Sequence, residues 1–266
     1  DEVSRAKFSA QRERRIGVGA LGFHAYLQKN NIAWESSPAK GANIRMFRHI
    51  RSKLDEANLR LGKERGEAPD MKGSCKRFAH VMAIAPNASS SIIMGNTSPS
   101  IEPFRANAYR QDTLSGAYLN KNKYLDVIIK EKVEQNKKLN YDEIWSSIIS
   151  SDGSVQHLTF LSDEEKATFK TSMEIDQRWL VEHGADRQEY IDQAQSLNLF
   201  FRPNVDISYL HTVHFLAWKY GLKTLYYCRS EKLGKADKVS KRIERQIIQE
   251  LDMTQVADGE CLACEG

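Results

Sequence analysis

Residues 80–103, HVMAIAPNASSSIIMGNTSPSIEP, constrain the fold most, because a short apolar run there feeds directly into a cluster of small hydroxylic residues. Val81, Met82, Ala83, Ile84 and Ala85 read as a buried strand. Pro86 removes a backbone donor and ends that run. Asn87, Ala88, Ser89, Ser90 and Ser91 then offer N–H groups and hydroxyls at the start of a helix. A helix N-terminus carries unpaired donors and a partial positive charge, and three adjacent serines add little bulk, so the stretch suits a phosphate. The same residues also read as an ordinary strand-to-helix turn whose serines cap the helix. Glu102 has no second carboxylate in view and is assigned to holding the loop after Gly95.

With 266 residues the chain is one large domain or two small ones, long enough to bury a core. Its 39 basic and 35 acidic residues are mixed along the sequence, for a net charge of +4, which describes a solvated surface and not a nucleic-acid footprint. No apolar run approaches a bilayer span, and the charged opening DEVSRAKFSAQRERR is no signal peptide. These features predict a cytoplasmic chain with neither nucleic acid nor membrane as partner. Because the first residue is Asp1, the chain is expected to be processed or part of a longer product. The four cysteines, Cys75, Cys228 and the close pair Cys261 and Cys264, are too few and too uneven for a disulfide framework.

In chain order, IGVGALGFHAYLQKNN reads as a strand passing through Gly17, Gly19 and Gly22 into a helix. The G-x-G-x-x-G spacing lacks the acidic partner of a dinucleotide site, so no cofactor is assigned to it. Ile44, Phe47, Ile50, Leu54, Ala57 and Leu61 recur at helical spacing, with Gly62 and Gly66 marking the end. Residues 117–190 read as helical. Tyr124, Leu125, Ile128, Ile129 and Val133 make one face, and Ile144, Trp145, Ile148 and Ile149 another; a capping box over residues 162–165 opens a helix running through Ile175 and Trp179. His157 and His183 are isolated. His211 and His214, three apart on an apolar helix over 207–220, are joined by no carboxylate or cysteine, so packing is assigned to them and no metal is expected.

Residues 190–201 end in a short strand. Residues 221–227, GLKTLYY, read as another, whose adjacent Tyr226 and Tyr227 point to opposite faces, one in the core and one at an edge. After Arg229 the composition becomes that of a tail, in which Val239, Ile243, Ile247, Ile248 and Leu251 form an amphipathic series suited to docking on a partner. The terminal Cys261-x-x-Cys264 has no second pair, which argues against a zinc site and for dithiol exchange. A coil of about 33 residues from Tyr227 gives that pair a root-mean-square reach of about 30 Å.

PNASSS at 86–91, GNTSPSIEP at 95–103, LSG at 114–116, QSLN at 195–198, GLKTLYY at 221–227 and the final C-x-x-C together resemble the large (alpha, catalytic) subunit of class I ribonucleoside-diphosphate reductase. The likeness runs from Arg14 to Cys264 and corresponds to the C-terminal part of that subunit. It implies an α/β fold over residues 1–228, the C-terminal half of a ten-stranded α/β barrel with added helices, then a flexible redox tail over 229–266. In that setting the glycines of residues 17–22 serve close packing of strand and helix. The resemblance further implies that Pro86, Asn87, Ala88, Ser89, Ser90 and Ser91 bind the diphosphate of a ribonucleoside diphosphate. Tyr226 and Tyr227 would relay a radical from a metallocofactor in the small (beta) subunit. Cys261 and Cys264 would re-reduce the active-site disulfide and pass the oxidation to thioredoxin or glutaredoxin.

The family's radical-bearing cysteine, the asparagine and glutamate beside it, its active-site cysteine pair and its nucleotide-effector sites belong upstream of the residues matched here. The chain is therefore expected to bind no cofactor itself and to assemble with a chain carrying the upstream half, as in a split or cleaved subunit. Two other readings stand beside this one: a non-catalytic phosphate-binding scaffold, and a thiol-redox module around Cys261 and Cys264, although the βαβ context usual for the latter is absent.

Overall fold

The computed structural model describes residues 3–113 and 116–230. Among them, β1 (Ala108–Thr113) and β2 (Gly116–Lys121) form an antiparallel hairpin, and β3 (Leu199–Phe201) pairs in parallel with β4 (Cys228–Ser230). The β3/β4 pair is one side of a wider strip of parallel extended segments. Val18 bridges Met82 and Ile84 bridges Gln195, both in parallel. Ile16 N donates to His80 O at 3.1 Å, Gln193 N to Met82 O at 3.1 Å, and Ser196 N to Ile84 O at 2.9 Å. The order across the strip is thus residues 16–18, 80–84, 193–201 and 226–230.

The predicted strand over 81–85 is present as an extended segment with single bridges and no continuous ladder. The Asp192 carboxylate explains this, because it accepts the N–H groups of Val81 and Met82, each at 3.0 Å, in place of a neighbouring carbonyl. Val81, Met82 and Ile84 are buried with Phe47, Ile101, Ile191 and Leu197, as parallel segments covered on both faces require. The glycine-rich segment lies flat against this run: a Cβ on Gly19 would stand 2.8 Å from the Ala83 carbonyl oxygen.

Nine α-helices form among the described residues: α1 (Ser4–Glu13), α2 (Phe23–Lys29), α3 (Ser37–Arg65), α4 (Ala88–Ile93), α5 (Lys123–Gln135), α6 (Tyr141–Ser150), α7 (Asp163–Thr168), α8 (Gln177–Gln188) and α9 (Ile207–Lys219). None is long and apolar enough to cross a membrane. The Ser36 hydroxyl caps α3 by accepting from Ala39 N at 3.2 Å, and the helix stops at Gly66, whose φ of 80° continues no helix. Gly62 lies inside the helix and does not end it. The apolar faces read from α5 and α6 meet in one core, in which Leu125, Ile129, Ile144, Trp145 and Ile148 are buried; Ile149 stays exposed.

Three local expectations are corrected. Residues 117–121 are strand and not helix, because they pair across the hairpin with residues 108–112. The capping box at Ser162 and Glu165 is formed, yet its helix is only α7, and a second helix, α8, starts at an Asp176 cap. Between them the Glu174 carboxylate accepts from Thr171 N (2.8 Å) and Thr171 Oγ1 (2.9 Å), a local alternative to helix that breaks the run. Finally, residues 221–227 do not form a regular strand; β4 begins only at Cys228.

A polar network ties α3 and α8 to the third segment of the strip. Arg187, fully buried, donates to Gln195 Oε1 at 2.8 Å and Asn43 Oδ1 at 3.0 Å, and burial pushes its guanidinium down to about 9. His183 is buried against the Trp34 carbonyl, whereas His214 is exposed, hydrogen-bonded to the Leu210 carbonyl one turn back and stacked on Phe201. The amphipathic series expected over 239–251, the expected tail beyond residue 230 and the dithiol Cys261 and Cys264 lie outside the described residues.

Candidate functional site

The second segment of the strip delivers the chain to the serine cluster. Asn87 takes a left-handed conformation (φ 53°, ψ 32°) as the N-cap of α4 and makes no side-chain capping bond there. Its amide therefore leaves the first-turn donors of α4 to other acceptors. Pro86 and Asn87 are half-buried, while Ala88, Ser89 and Ser90 are exposed. Ser91 is buried, with Oγ donating to the Ala88 carbonyl at 2.6 Å. The three serines are thus not equivalent: two hydroxyls face outward and the third is spent inside the turn.

The following loop is threaded onto the start of α2. Gly22 N donates to Ser98 O at 2.8 Å, Ala25 N to Ser98 Oγ at 3.1 Å, and Phe104 N to His24 Nδ1 at 2.9 Å. Gly22 has φ +83°, and a Cβ there would meet Thr97 Oγ1 at 2.8 Å, so only glycine fits. Thr97 N donates to Ser91 O at 3.0 Å and joins the loop back to α4.

The tyrosine pair lies on the far edge of the strip. Tyr226 N donates to Leu197 O and Leu199 N to Tyr227 O, both at 2.9 Å, while Tyr227 N donates to Asn198 Oδ1 at 3.0 Å. The two rings do not take opposite faces. Their centroids are 4.1 Å apart with the planes at 53°, and they are 50% and 40% exposed. Strict alternation needs a regular ladder, and here a side-chain amide interrupts it at Tyr227. The adjacent Tyr227 phenol raises Tyr226 above the usual phenol range. The Arg229 guanidinium sits 5.1 Å from the centre of the Tyr227 ring.

Register brings the two features together. Ile84 pairs with Gln195 and Leu199 with Cys228, so Pro86, Leu197 and Tyr226 stand at one level of the strip. They are two segments apart, about 10 Å at ordinary strand spacing. Glu102, which sequence reasoning confined to holding its loop, lies near enough to Arg229 of β4 to feel its charge. It is 6% exposed and pushed up to about 7 by burial, against the opposing pull of Arg229, Arg105 and Asn198. The signal for it was an acid flanked by a buried Ile101 and a proline in a run otherwise apolar or hydroxylic. Cys228 and Cys75 are exposed free thiols, and among the described residues no three His, Cys, Asp or Glu side chains converge as metal ligands.

Residues 1–78 and 70–228 match the family model described as "Ribonucleotide reductase, barrel domain". The chain is 53% identical over 258 residues to the "Ribonucleoside-diphosphate reductase large subunit" of Invertebrate iridescent virus 6, covering 96% of this chain and 26% of that protein. It is 51% identical to the protein of the same description in Invertebrate iridescent virus 3, covering 99% of this chain and 40% of that one. Among solved structures it is similar to the "Actinobacillus ureae class Id ribonucleotide reductase alpha subunit", with a TM-score of 0.79 and 41% identity over 86% of this chain and 41% of that one. The chain therefore spans well under half the length of these relatives.

Proposed function

Because the chain belongs to the ribonucleotide reductase barrel-domain family, we propose that it acts as the C-terminal part of a class I catalytic subunit. In that role it reduces ribonucleoside diphosphates to deoxyribonucleoside diphosphates only within a larger complex. The observation that carries this reading is the pair of tyrosine rings with centroids 4.1 Å apart, level with the serine turn and two segments away from it.

Each part of the site then has a role its chemistry suits. The diphosphate takes the backbone N–H groups at the start of α4 and the hydroxyls of Ser89 and Ser90; Ser91, committed to Ala88, shapes the turn. Contacts through backbone at Asn87 and Ala88 make no demand on side-chain identity. Tyr226 and Tyr227 pass one electron between rings in contact, each phenolic proton passing to a neighbouring acceptor as the electron leaves and returning as it is regained. A radical metallocofactor in the small (beta) subunit supplies the one-electron oxidation. Cys261 and Cys264 give two electrons to the active-site disulfide through a mixed disulfide, become a disulfide themselves, and are re-reduced by the dithiol of thioredoxin or glutaredoxin. The thiyl-bearing cysteine and the nucleotide-effector sites belong to the upstream half. On this reading residues 1–228 form barrel and 229–266 a redox tail, and the complex works in the cytoplasm.

The test combines the chain with a separately produced upstream half and a small subunit and measures deoxyribonucleotide formation. Tyr226→Phe and Tyr227→Phe are each expected to lower turnover by roughly 100-fold or more, with assembly and substrate binding retained. Turnover that survives both substitutions excludes the relay and leaves a phosphate-binding scaffold.

A further inference from the structure

The ladder between β3 and β4 fixes where the tyrosines would fall on a regular strand, and they do not fall there. Leu199 pairs with Cys228, and Leu199 N donates to Tyr227 O at 2.9 Å. In a regular parallel pair the residue that gives its carbonyl to one position of the neighbouring strand gives its own N–H to the carbonyl two positions earlier. Tyr227 N would then donate to Leu197 O. That carbonyl is taken instead by Tyr226 N, at 2.9 Å. Two residues thus stand where a regular ladder has one, which is the two-against-one count of a β-bulge.

The bulge acts on both the rings and the backbone. Adjacent side chains on a regular strand point to opposite faces, and an inserted residue breaks that alternation. The rings of Tyr226 and Tyr227 accordingly meet, with centroids 4.1 Å apart. The inserted residue also loses its ladder partner, and the N–H left over is that of Tyr227. It donates to Asn198 Oδ1 at 3.0 Å. Leu197, Asn198 and Leu199 are each 1% exposed, and Leu197 and Leu199 hold the other two bonds of the bulge through their main chain. The side chain of Asn198 therefore supplies the one acceptor that the main chain of the third segment does not.

We infer that Asn198 is a positioning residue for the tyrosine pair, its amide oxygen holding the bulge that brings both phenols to one side. The inference rests on the reading of that pair as a relay. Without the oxygen two arrangements remain. Either the bulge persists with the Tyr227 N–H unpaired, or the chain slips by one residue, Tyr227 N takes Leu197 O, and the regular ladder sends the rings to opposite faces. In each case one of the two tyrosine amides loses its acceptor and the ring contact is loosened or lost.

The test uses the complex of the chain with an upstream half and a small subunit. Asn198→Leu removes the acceptor at nearly constant volume, whereas Asn198→Asp keeps an acceptor oxygen in either protonation state. In hydrogen exchange read by mass spectrometry, the wild-type and N198D complexes should protect the amides of both Tyr226 and Tyr227. In N198L one of the two should exchange at least about tenfold faster, with amides of α3 unchanged. Wild-type protection of both amides in N198L overturns the inference. If N198L does not assemble, Asn198→Ala is read in its place, with the same expectation and the same overturning result. In turnover, N198L should lower kcat about tenfold with the substrate KM within about twofold, and N198D should recover most of the loss. A residue that only supported the fold would neither spare KM nor be rescued by an acceptor. Wild-type kcat in N198L, or an N198D no faster than N198L, overturns the inference. The exchange measurement needs no turnover. A wild-type complex that protects both amides yet reduces no nucleotide counts against the reductase reading alone, whereas a fully active N198L beside an inactive Tyr227→Phe counts against Asn198 alone.

Discussion

Ser89, Ser90 and Ser91 are one letter repeated three times, and burial gives them two chemistries. With its Oγ turned onto the Ala88 carbonyl, Ser91 contributes to the turn; the exposed hydroxyls of Ser89 and Ser90 are the ones a phosphate can reach. Ser91→Ala should therefore cost about 1 kcal/mol of stability and leave diphosphate affinity of the assembled enzyme within about twofold. Ser90→Ala should weaken binding with little effect on melting. Calorimetric titration with a ribonucleoside diphosphate beside thermal melts separates the two, and a loss of affinity in S91A at unchanged stability would refute the assignment. Glu102 makes the corresponding point for charge. Its folded value of about 7 lies above the ordinary 4.5, so the fold favours the protonated acid. The stability this group contributes is complete below about pH 4.5 and is lost as the pH rises through 7, a loss on the order of 3 kcal/mol. Denaturant titrations at pH 5 and pH 8 should show that slope in the wild type and lose it in Glu102→Gln. Neither distinction was legible in the sequence, because three identical serines in a row carry no sign of which one turns inward, and nothing beside Glu102 in the chain says that it is buried.

At the scale of elements, what the sequence showed and what it hid divide by the range of the forces involved. Helices α3, α5, α6 and α9 follow from apolar spacing and local caps, and β3 from a short apolar run, so all five were readable. The hairpin of β1 and β2 was not, since AYRQDT and GAYLNK carry no continuous apolar face and are strands only because they pair with each other. Gly62 shows the same limit inside a helix that was read correctly. It resembles a stop signal, yet it sits mid-helix because the chain at Cys75 crosses it so closely that a Cβ would stand 1.9 Å from the Cys75 carbonyl oxygen. On an open helix Gly→Ala stabilises by about 1 kcal/mol. Here that gain is overwhelmed by a collision with backbone that cannot rotate away. Gly62→Ala is expected to destabilise by roughly 1–3 kcal/mol, seen as a lowered melting temperature. A raised one would show that the crossing at Cys75 yields.

For the whole molecule, the strip of parallel segments has two edges, residues 16–18 on one side and 226–230 on the other, and among the described residues no further strand pairs with either. Ile16, Val18, Tyr226 and Tyr227 are all exposed along these edges, and Ile92, Ile93 and Met94 stand out from the end of α4. Open edges with apolar side chains are templates for pairing with another chain, and closing a sheet into a barrel removes them. The same edges carry the proposed chemistry: the phenols occupy one of them, so whatever strand completes the barrel beside residues 226–230 also covers the relay and excludes water from it. Closure and activity should therefore appear together. Alone at micromolar concentration, the 266-residue chain should sediment as a mixture of associated species and reduce no nucleotide. Addition of an upstream half should convert it to one defined complex, with Tyr226 and Tyr227 protected from nitration by tetranitromethane. Turnover by the chain alone would refute the need for an upstream half. A defined complex whose tyrosines remain as reactive as in the free chain would show that the barrel closes elsewhere than beside residues 226–230.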